Sequence, residues 1–182
     1  MRPPYGGCED DAVSVGDESV ARYDEAGRVI GSARRADVRA HGLWHASGVV
    51  LVRSVDGGSV YLHRRSPDKD VFPGTYDCWA GGVVAAGEDP ADCARRELGE
   101  ELGIHGVTPV FLYTLTFDEP PVRCHNHAYE VRWDGPIAHQ PEEIVDGRWI
   151  PLGELRSMAE DPASPFIPDG RAGILEWFRR YC

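Results

Sequence analysis

Several things are scarce in this 182-residue sequence. No run of about 18 apolar residues is present, which excludes a membrane-spanning helix. The opening residues, Met1 to Asp11, lack the apolar core of a secretory signal. Positive charge is short: 19 Lys and Arg stand against 30 Asp and Glu, a formal net charge of −11 and a pI near 5.0. That balance argues against nonspecific nucleic-acid binding, which depends on basic side chains neutralising phosphates. A paired cysteine framework is also missing. The five cysteines (Cys8, Cys78, Cys93, Cys124 and Cys182) are odd in number and irregularly spaced, so they read as reduced thiols of a cytoplasmic protein. No internal repeat or long linker divides the chain. At 20.1 kDa it is long enough for one real core and short for two.

What the sequence does hold is one ordered stretch, Gly82 to Ile104. It opens on glycines, where backbone can approach another group closely. Asp89 is a natural N-cap, Pro90 suits the first helical position, and Gly103 is a natural stop. The spacing therefore predicts a helix over about 90–102. On it, Ala91, Ala94, Leu98 and Leu102 form an apolar stripe. Glu97, Glu100 and Glu101 share a neighbouring face at i, i+3 and i+4 spacing. Three like charges so close cost stability unless a cation sits among them. Arg96, four residues before Glu100, offsets part of this. A hard divalent ion such as Mg²⁺, which takes oxygen ligands and bridges carboxylates to phosphates, would offset more. A solvated acidic face is the plainer reading of such a charge run.

The stretch resembles the Nudix box, G-x5-E-x7-R-E-U-x-E-E-x-G-U with U aliphatic. It matches at Gly82, Glu88, Arg96, Glu97, Leu98, Glu100, Glu101, Gly103 and Ile104. The resemblance implies an α/β/α sandwich with a mixed central sheet, and metal-dependent hydrolysis of a nucleoside diphosphate linked to another moiety X. It further implies that Glu97, Glu100 and Glu101, with the Gly82 carbonyl, hold Mg²⁺ or, as a substitute, Mn²⁺. Arg96 would orient the carboxylates, and Glu88 would support them through a water or through Arg96. Glu143, in a loop before a tryptophan-bearing strand, matches the place where such proteins often keep an assisting carboxylate. Either Glu143 or Glu97 is then the general base. The partner is a small diphosphate substrate, which must be drawn in against an acidic average field by metal and local arginines. Many proteins of this family pair as homodimers, so a homodimer is compatible with the resemblance.

Around the box, residues 1–16 read as a flexible leader and 17–182 as a single domain. Ser19–Tyr23 and Arg28–Ile30 read as a hairpin turning at Gly27. A short helix is expected over 32–40. Strands are expected over 44–54, 59–64, 110–117 and 122–133, with a helix starting at Leu152 and a closing amphipathic helix over 169–181. Arg64 and Arg65 carry guanidinium groups suited to a diphosphate, against a solvated strand end. Tyr76 and Trp79 offer rings for stacking on a nucleobase, against a packing role. Cys124-His125-Asn126-His127 has no second ligand pair at zinc-finger distance.

Two other readings compete. The upstream segment also resembles isopentenyl-diphosphate isomerase, a Nudix-fold enzyme. That chemistry needs a cysteine directly before the box glycine and a histidine directly after it. Gly81 and Val83 stand there, and Cys78 lies an odd number of residues away, on the opposite strand face. A non-catalytic ligand-binding module would often have lost box carboxylates, and this sequence keeps them all.

Overall fold

The computed structural model describes residues 15–182. Of the expected leader, residues 1–14 lie outside the described part, and Val15–Asp17 form a single 3-10 turn. Next come the hairpin strands β1 (Ser19–Tyr23) and β2 (Val29–Arg34), with Gly27 in the left-handed region at φ 79°. The short helix α1 spans Arg35–His41. The expected helix start at Ser32 is thus corrected. Residues 32–34 pair with β1 through Ala21↔Ser32, Val20↔Ala33 and Ser19↔Arg34, a non-local claim on the backbone that loose helical periodicity does not reveal.

The main sheet is built on β3 (His45–Arg53). It runs parallel to β8 (Val122–Arg132) along its full length and antiparallel to β6 (Trp79–Val83) from Ser47↔Val83 to Leu51↔Trp79. Beyond that ladder β3 meets β4 (Ser59–Arg65) through Arg53↔Val60. The sheet therefore forks along one edge of β3. β4 also carries β5 (Tyr76–Asp77) and β9 (Ile144–Pro151), while β7 (Val110–Glu119) pairs with β8.

Helix α2 (Pro90–Leu102) covers one face, and α3 (Leu152–Glu160) and α4 (Pro168–Tyr181) cover the other. Strand alternation divides the side chains between them. Val50 and Val52 pack with Ala94, Leu98 and Leu102 of α2. Leu51, one residue out of phase, packs with Leu155, Ile174 and Trp177. The result is an α/β/α sandwich around a mixed sheet.

Helix α2 is held at both ends. The Asp89 carboxylate accepts from the Ala91 N–H at 2.8 Å, and Gly103 closes the helix in the left-handed region, its N–H bonding the Gly99 carbonyl. Burial of Leu98 and Leu102 stabilises it by about 1.5–3 kcal/mol each, which offsets the crowding of glutamates on its other side. Gly48 lets β3 lie close beneath it: a Cβ there would fall 2.5 Å from the Pro90 carbonyl oxygen and 2.7 Å from the Ala94 nitrogen.

Candidate active site

Arg96 is the hub of the acidic face. Its Nε and Nη2 donate to the two oxygens of Glu88 at 2.9 and 3.1 Å, and Nη1 donates to Glu97 at 2.7 Å and Glu100 at 3.0 Å. Glu88 also accepts from the Ala85 N–H at 2.9 Å. Partial burial pushes the Glu88 carboxyl up, but the Arg96 and Ala85 donors outweigh it and leave it below its ordinary value. The same carboxylates raise the Arg96 guanidinium above its ordinary value. Glu101 turns the other way, into the protein. It is 6% exposed and accepts from the Gly81 N–H at 2.9 Å.

Burial, then the neighbouring charges of Glu97 and Glu143, pushes the Glu101 carboxyl well up. Burial also raises Glu97. These shifts mark carboxylates crowded into a low-dielectric wall with too little positive charge. Glu97, Glu100, Glu101 and Glu143 all line one cavity of 370 Å³, together with Gln140, Arg96 and Lys69. Its acceptors are oxygens throughout, the donor set that hard cations such as Mg²⁺ or Mn²⁺ prefer. The fit is one of charge and donor type. Among the described residues no three acidic, His or Cys side chains converge on a single point. Glu97 and Glu100 are turned to Arg96, Glu143 to Lys69, and the Gly82 carbonyl accepts from the Cys93 thiol at 3.4 Å. Glu97 and Glu100 each give one oxygen to Arg96, which leaves the other oxygen of each for an ion.

Gly82 has a steric role as well. A Cβ on it would overlap the Glu97 carboxylate, so the bare backbone makes room for that side chain.

A second, deeper cavity of 480 Å³ adjoins the first, and the two share Arg35, Lys69, Gly81 and Gly82 on their linings. Its near end is cationic: Arg35 and Arg39 project from one face of α1, and Arg65 and Lys69 come from the end of β4 and the loop after it. Arg35 pairs with Glu18 at 2.8 Å, and Arg39 with Asp70. Burial, then the charges of Arg35 and Arg65, pulls the Arg39 guanidinium down to about 10. The Nε atoms of Arg35 and Arg65 are buried without an acceptor. Crowded cations with unsatisfied donors form a place for an anion.

Alternation splits the residue pairs read from the sequence. Arg65 lines the deep cavity, whereas Arg64 points to the other face and donates to the Gly74 carbonyl at 3.2 Å. Asp77 lines the cavity and its neighbour Tyr76 packs against the α3/α4 core. Trp79 reaches the cavity but is only 5% exposed, its indole N–H donating to the Gly170 carbonyl at 3.1 Å. Of the two roles read for Tyr76 and Trp79, packing is the one their contacts with the α3/α4 core express. Arg35, Arg39, Lys69, Asp77, Asn126 and Asp169 are site residues that sequence reading misses. For one of them a signal exists: Lys69 is the sequence's single lysine.

A family model described as the NUDIX domain matches residues 42–170. An uncharacterised Nudix hydrolase of Rhodococcus erythropolis is 48% identical over 170 residues, covering 88% of this chain and 92% of its own. Another, from Streptomyces coelicolor, is 41% identical over 163 residues, covering 88% of each. Among solved structures, a protein of Deinococcus radiodurans superposes with a TM-score of 0.74 at 26% identity, covering 91% of this chain and all of the other. A MutT protein from Methanosarcina mazei gives 0.63 at 20% identity over 75% of this chain and 94% of its own, a likeness of fold. With the box complete from the end of β6 through α2 and the family match spanning most of the sandwich, the chain belongs to the Nudix family and is a Nudix hydrolase.

Proposed function

We propose that the protein hydrolyses the diphosphate linkage of a nucleoside diphosphate joined to a second moiety X, using a divalent cation held by Glu97, Glu100 and Glu101. Nudix hydrolases act on pyrophosphate linkages and generally use divalent metals; the substrate and the ion are the specific part of this reading. One observation carries it. The carboxylate cavity on α2 adjoins a cationic one in which Nε of Arg35 and Nε of Arg65 are buried without an acceptor. A diphosphate lying across the shared wall would answer both imbalances at once.

A bound Mg²⁺ or Mn²⁺ would neutralise non-bridging phosphate oxygens and acidify a water. The chain's own groups do the rest. Arg35, Arg39 and Arg65 bind and orient the phosphates. Glu143, paired with Lys69, or Glu97 accepts a proton from the attacking water. Arg96, braced by Glu88, holds Glu97 and Glu100 in place. The water oxygen bonds to phosphorus, the bridging P–O bond breaks, and the second phosphate leaves. Isomerisation of an isoprenoid diphosphate is not supported: Gly81 stands at the required cysteine position, and Cys78 is buried in the α3/α4 core. The reading places the protein in the cytoplasm with a small-molecule partner.

The test is a panel of nucleotide sugars, dinucleotides, nucleoside triphosphates and coenzyme A, scored for product with Mg²⁺ or Mn²⁺ and with chelator. Glu100→Gln and Glu101→Gln should each lower kcat by about a hundredfold or more, the usual cost of removing one transition-state stabiliser. Wild-type turnover by either variant at saturating metal would overturn the ligand assignment.

A further inference from the structure

Strand β3 lines the deep cavity with His45, Ser47 and Val49, and its last residue, Arg53, lines a third cavity of 570 Å³. Helix α4 repeats the pattern. Asp169 in its first turn borders the deep cavity, whereas Trp177 and Tyr181 near its end border the third. The third cavity shares no lining residue with the other two. Strand β7 completes it. The β7–β8 ladder slips between Phe111↔Tyr129 and Tyr113↔Ala128, which makes Leu112 the extra residue of a bulge. Leu112 lines the cavity together with Val110.

Two hydrogen-bond donors at this cavity have nothing to donate to. Trp177 is 1% exposed, and its indole N–H is buried without an acceptor. The Arg53 guanidinium lies over that ring, 4.7 Å from its centroid, and its Nε is buried without an acceptor too. Buried indole N–H groups usually find a partner, and a donor left without one is costly. The rest of the Arg53 fork is loosely served. Nη2 donates to the Gly57 carbonyl, but Nη1 reaches the Glu130 oxygens only at 3.4 and 3.5 Å. Glu130 is engaged more closely by Nε of Arg132, at 2.8 Å. Among the lining side chains, two guanidinium groups thus stand against one carboxylate.

That excess of positive charge favours an anion as the acceptor for both donors. Val107, Val110, Leu112 and Tyr181 make much of the remaining wall apolar, so the anion must bring an apolar body. A carboxylate is planar, carries a single charge and matches the guanidinium fork, whereas a phosphate dianion would exceed the one charge left over. At 570 Å³ the cavity lies within the range of small-molecule sites. We infer that the third cavity is a binding site for a small carboxylate on an apolar body, held by Arg53 and by the Trp177 indole N–H. The site stands apart from the cavities of the hydrolytic reading and does not depend on it.

The experiment is an NMR titration of the full chain with 4-phenylbutanoate and, as the neutral probe of the same shape, 4-phenylbutanamide. The carboxylate should bind saturably, move the Trp177 indole N–H resonance, and bind about tenfold more tightly than the amide, the margin that a charged hydrogen-bond partner supplies. Trp177→Phe keeps an apolar ring and removes the N–H; its loss of one indole signal also assigns that resonance. Arg53→Lys keeps the charge and removes Nε. Each variant, checked for cooperative unfolding, should weaken carboxylate binding by about tenfold. Absence of saturable binding would overturn the inference, as would equal affinity for the two probes. Undiminished affinity in a folded variant would overturn it as well and leave the two nitrogens to buried water. So would a carboxylate that shifts only residues of the deep cavity, or self-association in sedimentation velocity that blocks the probe and assigns this surface to a second copy of the chain.

Discussion

Gly81 and Gly82 are adjacent, and a side chain on either would collide, with a different neighbour in each case. A Cβ on Gly81 would meet the Val49 Cα at 2.8 Å and crowd the Gly48 carbonyl, both backbone. A Cβ on Gly82 would meet the tip of the Glu97 side chain, which can swing away. Gly81→Ala should therefore destabilise the fold by about 1–3 kcal/mol, the usual cost of overpacking. Gly82→Ala should stay within about 1 kcal/mol of the parent while losing turnover, because Glu97 is displaced. Urea unfolding and steady-state kinetics on the two variants separate these outcomes. Equal stability losses would contradict the contrast. The motif marks Gly82 but not its cause: the carboxylate that needs the space lies 15 residues on, across a turn and a helix.

At the scale of elements, α2 is the part most legible from the sequence, because its signals are local. Asp89, Pro90 and Gly103 each act within a turn of their own position, and the observed bounds follow them. Asp89→Ala should cost about 0.5–2 kcal/mol, read from chemical denaturation, with the box side chains untouched. The start of α1 was illegible for the opposite reason. Its first expected residues are taken by a strand partner some dozen positions away. The Asp77, Asn126 and Asp169 side chains that line the deep cavity were equally hidden. Asp77, Asn126 and Asp169 belong to three separate elements and share no spacing, so only the folded sheet brings them together. For Tyr76 and Trp79 residue type alone left packing and stacking both open, because it does not distinguish a core ring from a stacking platform; their place against the α3/α4 core comes from the fold.

For the molecule as a whole, two buried groups set opposing responses to pH. Burial, then the charges of Arg65 and His139, pushes the His63 imidazole down to about 3. The unfolded chain then binds the proton first, so this group's contribution to stability falls as pH drops below 6.5. Burial, then the Asp169 charge, pushes the Asp77 carboxyl up from 3.8 to about 7. Here the unfolded chain loses its proton first, so stability falls as pH rises through that window. Each slope is roughly 1.4 kcal/mol per pH unit, and in the parent protein they largely cancel. Relative to it, His63→Gln should become less stable as pH rises from 4 to 7, and Asp77→Asn should become more stable. Denaturant midpoints measured across that range check both signs, and parallel curves for all three proteins would refute the assignment.

The family-wide match begins at residue 42, yet Arg35 and Arg39, two of the cations facing the deep cavity, stand before it on α1. The lining of the deep cavity is thus shared between the matched span, which supplies Arg65 and Lys69, and the segment before it. That leading segment is also tied to the box itself: the Ala21 N–H donates to the Val84 carbonyl, the Ala86 N–H donates to the Ser19 carbonyl, and Ala21 and Tyr23 pack with Cys93 of α2, so any change of the cations on α1 is inherited by the hydrolytic helix through β1.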